Sequence, residues 1–244
     1  MIKLLLLLMS GLKFGKLLTT GGTMLISLVV YGFIYGWRYA VGFIALLFVH
    51  EMGHYLAAKQ RGLDVGAPTF IPFVGAWIEM KQLPHNAETE AYVGLGGPVL
   101  GSIGALGCYF MARHGGPELH WLLAVSYSGF FLNLFNLIPI SPLDGGRITA
   151  VLSPRIWLLG VPVLVGLFVL NPSPMLILIA LMAAPQVMQA WRHLRGQQDP
   201  SQMHYYQASL EDKLTYGFAY LGLLAFLAVM THDVHQMLSG AAVG

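Results

Sequence analysis

The chain is 244 residues long, with 56% hydrophobic and 10% charged residues and a mean hydropathy of +0.66. Soluble domains carry about 25% charged residues, so the composition excludes a soluble globular protein and predicts one that crosses a membrane several times. The formal net charge of +2 leaves no electrostatic footprint for nucleic acid, and the lone cysteine, Cys108, excludes an intrachain disulfide and a cysteine-based metal site.

The opening stretch, Met1-Ile-Lys-Leu-Leu-Leu-Leu-Leu-Met9, has a short apolar core with no clear small-residue cleavage site after it, and 1–20 reads as an interfacial segment. Apolar runs close to the length that crosses about 30 Å of hydrocarbon follow at 21–37, 39–58, 91–112, 119–138, 156–170, 175–191 and 214–231. They predict an all-α polytopic membrane protein of six to seven transmembrane helices, folded as a single integral membrane domain over 1–244. Placing the N-terminus in the cytoplasm puts eleven of the thirteen Lys and Arg residues on the cytoplasmic side, with Arg38 and Arg113 outside. Such a bias is the sign of a correct topology.

The second run contains His50-Glu51-Met52-Gly53-His54. Residues four apart share a helix face, so His50 and His54 can bind one metal while Glu51, about 100° round the helix, reaches a water at that metal. Nine His and six Glu in this length produce such a motif roughly once in a hundred shuffled chains. A carboxylate in lipid also costs roughly 2.5 to 3.5 kcal/mol, which a bound zinc worth roughly 10 to 16 kcal/mol offsets. The motif points to a zinc hydrolase, against the alternative of a His/Glu cluster satisfied by neighbouring helices.

Between the second and third runs, Ala67-Pro-Thr-Phe-Ile-Pro-Phe-Val-Gly-Ala-Trp-Ile-Glu-Met80 is broken by Pro68, Pro72 and Gly75. Its β-branched and aromatic residues predict a membrane-re-entrant β-hairpin whose edge can pair with an unwound peptide, with Phe70, Ile71, Pro72 and Phe73 as candidate substrate contacts. A surface loop is the alternative. Asn86-Ala-Glu-Thr-Glu90 suits a helix N-terminus. Gly97, Gly101 and Ala105, at spacing four, predict close helix packing in lipid.

After the fourth run comes Asn133-Leu-Phe-Asn136-Leu-Ile-Pro139-Ile-Ser-Pro142-Leu-Asp144-Gly-Gly-Arg147. The prolines stop the helix and leave Asp144 where helix end meets loop. Two His and one carboxylate is a known catalytic zinc set, which makes Asp144 the candidate third ligand. Capping of the helix that begins near Arg147 is its other reading.

With both motifs in view, the chain resembles the site-2 protease family of intramembrane zinc metalloproteases. Those proteins join His-Glu-x-x-His in one membrane helix to an Asn-x-x-Pro-x-x-Pro-x-Asp-Gly-type motif, matched here by Asn136, Pro139, Pro142, Asp144 and Gly145. The resemblance covers about 41–148 and sets the catalytic core at 39–148. It implies one catalytic Zn2+ on His50, His54 and Asp144, Glu51 as general base, and Asn136 as a holder of the substrate backbone or oxyanion. The implied substrate is a transmembrane helix of another protein, unwound locally before attack and embedded in membrane lipid. The third helix departs from the family in having Gly101-Ser102 without the Asn that many relatives place there. The loops leave no room for a PDZ domain, and no nucleotide-sensing repeats follow, so the expectation is a minimal member.

The remainder is a cytoplasmic linker at 192–213 and a last span at 214–231, with His232 and His235 beyond it. The compact chain suits a prokaryotic plasma membrane. A catalytically silent relative that binds membrane proteins, and a metal-ion transporter, are the competing function classes. The first has little reason to keep Glu51 beside intact ligands. The second would place carboxylates in several spans, whereas the last three spans hold almost none.

Overall fold

In a computed structural model, residues 21–72, 75–80, 84–197 and 204–241 are described; the interfacial segment expected over 1–20 and Phe73 lie outside them. Eight α-helices and one β-hairpin follow in order: α1 Gly21–Tyr35, α2 Trp37–Gln60, β1 Val65–Ile71, β2 Gly75–Met80, α3 Ala87–His114, α4 Leu122–Asn136, α5 Asp144–Ala150, α6 Gly160–Leu170, α7 Pro174–Leu194 and α8 Leu210–Ala241. Each expected span contains a helix. Among the described residues, α2, α3, α7 and α8 are long and apolar enough to cross a membrane.

The helix ends follow local chemistry. Asn86 caps α3 by accepting from Thr89 N–H at 2.9 Å. Ser209 and Asp212 cap α8 reciprocally, each side chain accepting from the other's backbone N–H at 3.0 and 3.2 Å. The fifth run is a compound element, because Pro154–Leu159 winds as a 3-10 helix before α6 begins. The last helix runs well past the expected 231, so that His232 and His235 are helical. Polar residues at the end of an apolar run do not by themselves stop a helix.

The main core lies between α3, α4 and α8, where Ala105, Cys108, Val125, Phe130 and Leu227 are buried together. Helix α2 meets α3 through glycines: a Cβ at Gly53 would strike the carbonyl of Gly96, and one at Gly96 would strike Gly53 and Ala57. The backbones therefore touch, the approach that small residues allow in lipid. The ends of α2 and α3 are tied to α8 by Arg61, which donates to both carboxylate oxygens of Glu88 at 2.6 and 3.2 Å, while Tyr216 Oη donates to the same carboxylate.

The expected hairpin is present as an antiparallel pair with Phe70 opposite Ala76 and Ile71 opposite Gly75. Phe70 is buried with Ile44 and Leu47 of α2, and its N–H donates to Thr23 Oγ1 of α1 at 3.2 Å. Backbone N–H groups alternate sides along a strand, so Pro68 and Phe70 share the outer side of β1. Pro68 has no N–H. The outer edge of β1 over these positions therefore offers one donor, already bound by α1.

Candidate metal centre

Helix geometry brings His50, Glu51 and His54 to adjacent positions near the C-terminal end of α2, where all three are buried, at 3%, 7% and 7% exposure. Asp144 is the first residue of α5, at the end of the loop that follows α4. Pro139 and Pro142 prevent that loop from continuing α4, and Gly145 and Gly146 allow it to double back. A Cβ at Gly145 would meet the carbonyls of Leu137 and Ile138, and one at Gly146 the backbone of Ile140 and Ser141.

Loop groups that lack a helical partner find side chains from three neighbouring elements. Ser141 N–H donates to Gln186 Oε1 of α7 at 2.5 Å, Trp157 Nε1–H donates to Gly146 O at 2.8 Å, and Tyr220 Oη of α8 donates to Leu137 O at 2.6 Å. Irregular backbone among membrane helices needs this satisfaction, and it holds the start of α5 in place. The N-cap of α5 is Leu143, with no side-chain cap bond, so Asp144 is not occupied in capping.

The Asp144 carboxylate instead faces the histidines. Its Oδ2 lies 3.2 Å from His50 Nε2 and its Oδ1 3.2 Å from His54 Nε2, and the two Nε2 atoms are 3.2 Å apart. Ligands on a four-coordinate zinc at about 2.0 to 2.1 Å sit roughly 3.3 Å from one another, so this triangle has the size that one ion spans. Among the described residues, these three form the group able to hold a metal ion.

The protons on the rings can be placed from their partners. His54 Nδ1 is 2.7 Å from the carbonyl of Val93, which can only accept, so Nδ1 carries the hydrogen. His50 Nδ1 is 2.7 Å from Asn133 Oδ1. The Asn133 amide is oriented by its Nδ2 donating to Gly129 O at 2.7 Å, so the group facing His50 is again an acceptor. In its neutral form, the one that binds a metal, each ring then turns an Nε2 lone pair toward the Asp144 oxygens. Three acceptors that converge without a hydrogen between them repel one another, and a cation relieves that repulsion. The donor set therefore fits a metal.

Small residues form the wall behind the site. Gly97 lies against the His54 imidazole, Gly101 against the Asn133 carboxamide, and Ala105 against the position of a Cβ on Gly129. The spacing-four row thus packs helices, as its sequence implies, and also seats a ligand and its neighbour.

Of the other candidates, Glu51 makes no side-chain hydrogen bond to a described residue. Asn136 ends α4, half-buried, one turn beyond Asn133, and likewise has no side-chain hydrogen bond to a described residue. Phe70 is buried at 2% exposure, Ile71 is 43% exposed and Pro72 is half-buried. His232 pairs with Gln236, and His235 packs on the ring of Tyr127. Sequence reasoning gave Asn133 and the Val93 carbonyl no role. For Asn133 a signal existed, since an amide inside an apolar helix is costly unless partnered; for a main-chain carbonyl none did.

Two lone-pair-bearing imidazoles and a carboxylate, buried among apolar helices of membrane length, define an integral membrane protein with a metal-binding centre. Residues 38–115 match the family model described as Peptidase family M50, in agreement with the chain's resemblance to the site-2 proteases. A zinc metalloprotease of Methanocaldococcus jannaschii is 35% identical over 128 residues, 48% of this chain and 36% of that protein. A chloroplastic protein of Arabidopsis thaliana described as a probable zinc metalloprotease is 26% identical over 153 residues, 44% of this chain and 28% of that protein. The matches thus span about a third of the length of these curated relatives. The solved site-2 protease of Methanocaldococcus jannaschii aligns over 82% of this chain and 84% of its own, with a TM-score of 0.43 and 18% identity. The family segment contains both histidines and ends before Asp144, which tertiary structure alone brings to them.

Proposed function

We propose that this chain is an intramembrane zinc metalloprotease that hydrolyses peptide bonds within or near transmembrane segments of other membrane proteins. The reading is carried by the convergence of His50, His54 and Asp144 at separations of 3.2 Å, with Glu51 adjacent in sequence and buried. In this reading His50 Nε2, His54 Nε2 and the Asp144 carboxylate hold one Zn2+, which when bound supplies Lewis acidity and brings the pKa of water toward about 7. Glu51 takes a proton from the attacking water and returns it to the leaving amine. Asn136 donates its amide N–H to the substrate backbone or to the developing oxyanion.

The topology in this proposal is seven spans, with the N-terminus in the cytoplasm of a prokaryotic cell, 39–148 as catalytic core and 192–213 as a cytoplasmic linker. The asymmetry of Lys and Arg supports it. So does the compound fifth element, whose six 3-10 and eleven α-helical residues reach about 28 Å at 2.0 and 1.5 Å per residue. The hairpin dips into the membrane beside α2, a reading that the packing of Phe70 on Ile44 and Leu47 supports. It holds the unwound substrate as an added strand. Since the outward N–H of Phe70 is already bound by α1 and Pro68 has none, the pairing edge in this proposal is that of β2.

The test is zinc content together with cleavage of a panel of single-span membrane proteins. Glu51→Gln is expected to keep its zinc and lose about 10²-fold or more in cleavage rate. A native protein that holds no zinc, or an unimpaired Glu51→Gln, overturns the proposal.

A further inference from the structure

We propose that Asn133 is a positioning residue of the metal centre, whose carboxamide fixes the tautomer and the ring plane of His50. The inference rests on the reading of His50 as a metal ligand. A metal-binding imidazole needs its second ring N–H held, or the ring turns and the wrong nitrogen carries the proton. His54 has this from the main chain, through Val93 O. His50 has it from a side chain 83 residues away, through Asn133 Oδ1 at 2.7 Å.

The Asn133 carboxamide is itself fixed at three points. Its Nδ2 donates to Gly129 O one turn earlier on α4 at 2.7 Å, so its oxygen and nitrogen cannot exchange places without setting two acceptors against each other. The residue is 1% exposed, so no water competes for the oxygen. Gly101 of α3 closes the remaining side: a Cβ there would come within 2.5 Å of Oδ1 and 2.8 Å of Nδ2. Gly101 thus leaves a slot the size of a planar amide, and the amide presents one acceptor to one nitrogen. The centre accordingly has two orienting acceptors of different kinds, of which only that on His50 can be changed by a side-chain substitution.

The experiment uses the full chain in detergent and reads the zinc dissociation constant by chelator competition, together with the visible spectrum of the Co2+-loaded protein. Asn133→Leu keeps the side-chain size and removes the acceptor; it is expected to weaken zinc binding roughly 10- to 100-fold and to change the Co2+ bands. Asn133→Asp restores an oxygen acceptor toward His50 Nδ1 while its second oxygen replaces the N–H that Gly129 O accepts, and is expected to recover part of the affinity. Gly101→Ala, which retains Asn133 and crowds its amide, is expected to fall between native and Asn133→Leu, and serves if Asn133→Leu does not fold. Native-like affinity and spectrum in Asn133→Leu overturn the proposal, or in Gly101→Ala where Asn133→Leu does not fold. Equal loss in Asn133→Leu and Asn133→Asp also overturns it, marking the position as one of packing alone. If the native chain itself binds no zinc, the reading of the site fails instead.

Discussion

Gly97 of α3 lies directly against the imidazole of His54 on α2, and a Cβ at that glycine would overlap Nε2, Cε1 and Cδ2 of the ring. The glycine is thus part of the seat of a candidate ligand, and the helix contact and the metal geometry cannot be varied independently.

Gly97→Ala is therefore expected to displace the ring and to weaken zinc binding about tenfold or more, the scale on which lost ligand support acts. Alanine gains about 1 kcal/mol over glycine in helix propensity, so propensity alone would favour the variant. Gly107→Ala, where nothing lies within 4 Å, is expected to leave zinc unchanged. Zinc analysis of the two purified proteins checks the pair.

Asp144→Ala is expected to lose bound zinc while the fold persists, because Leu143 and not Asp144 stands at the N-cap of α5 and the surrounding loop is held by Gln186, Trp157 and Tyr220. Metal content and circular dichroism measured side by side distinguish this from unfolding. Retention of stoichiometric zinc would remove Asp144 from the ligand set.

The hairpin edges can be told apart by two substitutions. Ile78 stands opposite Pro68 and shares the outward backbone parity of β2, so Ile78→Pro removes an outer donor while sparing the β1–β2 ladder. It is expected to slow cleavage severalfold with zinc retained. Thr23→Val removes the acceptor on Phe70 N–H and is expected to leave the cleavage rate within about twofold if the substrate strand adds to β2. The reverse outcome moves the pairing edge to β1.

Glu88→Gln is expected to act on stability alone. It weakens a two-pronged ion pair with Arg61 that joins α2, α3 and, through Tyr216, α8. Because that pair is partly exposed, the loss is about 1 kcal/mol, read as a lower midpoint of thermal unfolding with zinc content unchanged. Loss of zinc would show that the clasp reaches the metal site.

The histidine pair was legible because it depends on local geometry: in any α-helix, positions 50 and 54 share a face. The hairpin was legible for a similar reason, since Pro68, Pro72 and Gly75 forbid a helix there. The length of α8 and the 3-10 start of the fifth element were not, because hydropathy reports where a chain meets hydrocarbon and not where hydrogen bonding changes register.

The sequence by itself determined a multi-helix membrane protein, one helix bearing His50, Glu51 and His54, and a proline-broken loop that offers Asp144. Periodicity and breakers act within a few residues, and those statements need no more. Only the tertiary structure decided that Asp144 meets the histidines across 90 and 94 positions, that Asn133 and Val93 orient their rings, that Gly97 and Gly101 make the slots for those side chains, and that α1 occupies the outward N–H of Phe70 on the hairpin's first strand. These contacts join residues tens of positions apart. They are set by how closely α2, α3 and α4 pack, a property of the assembled helices that no local pattern encodes.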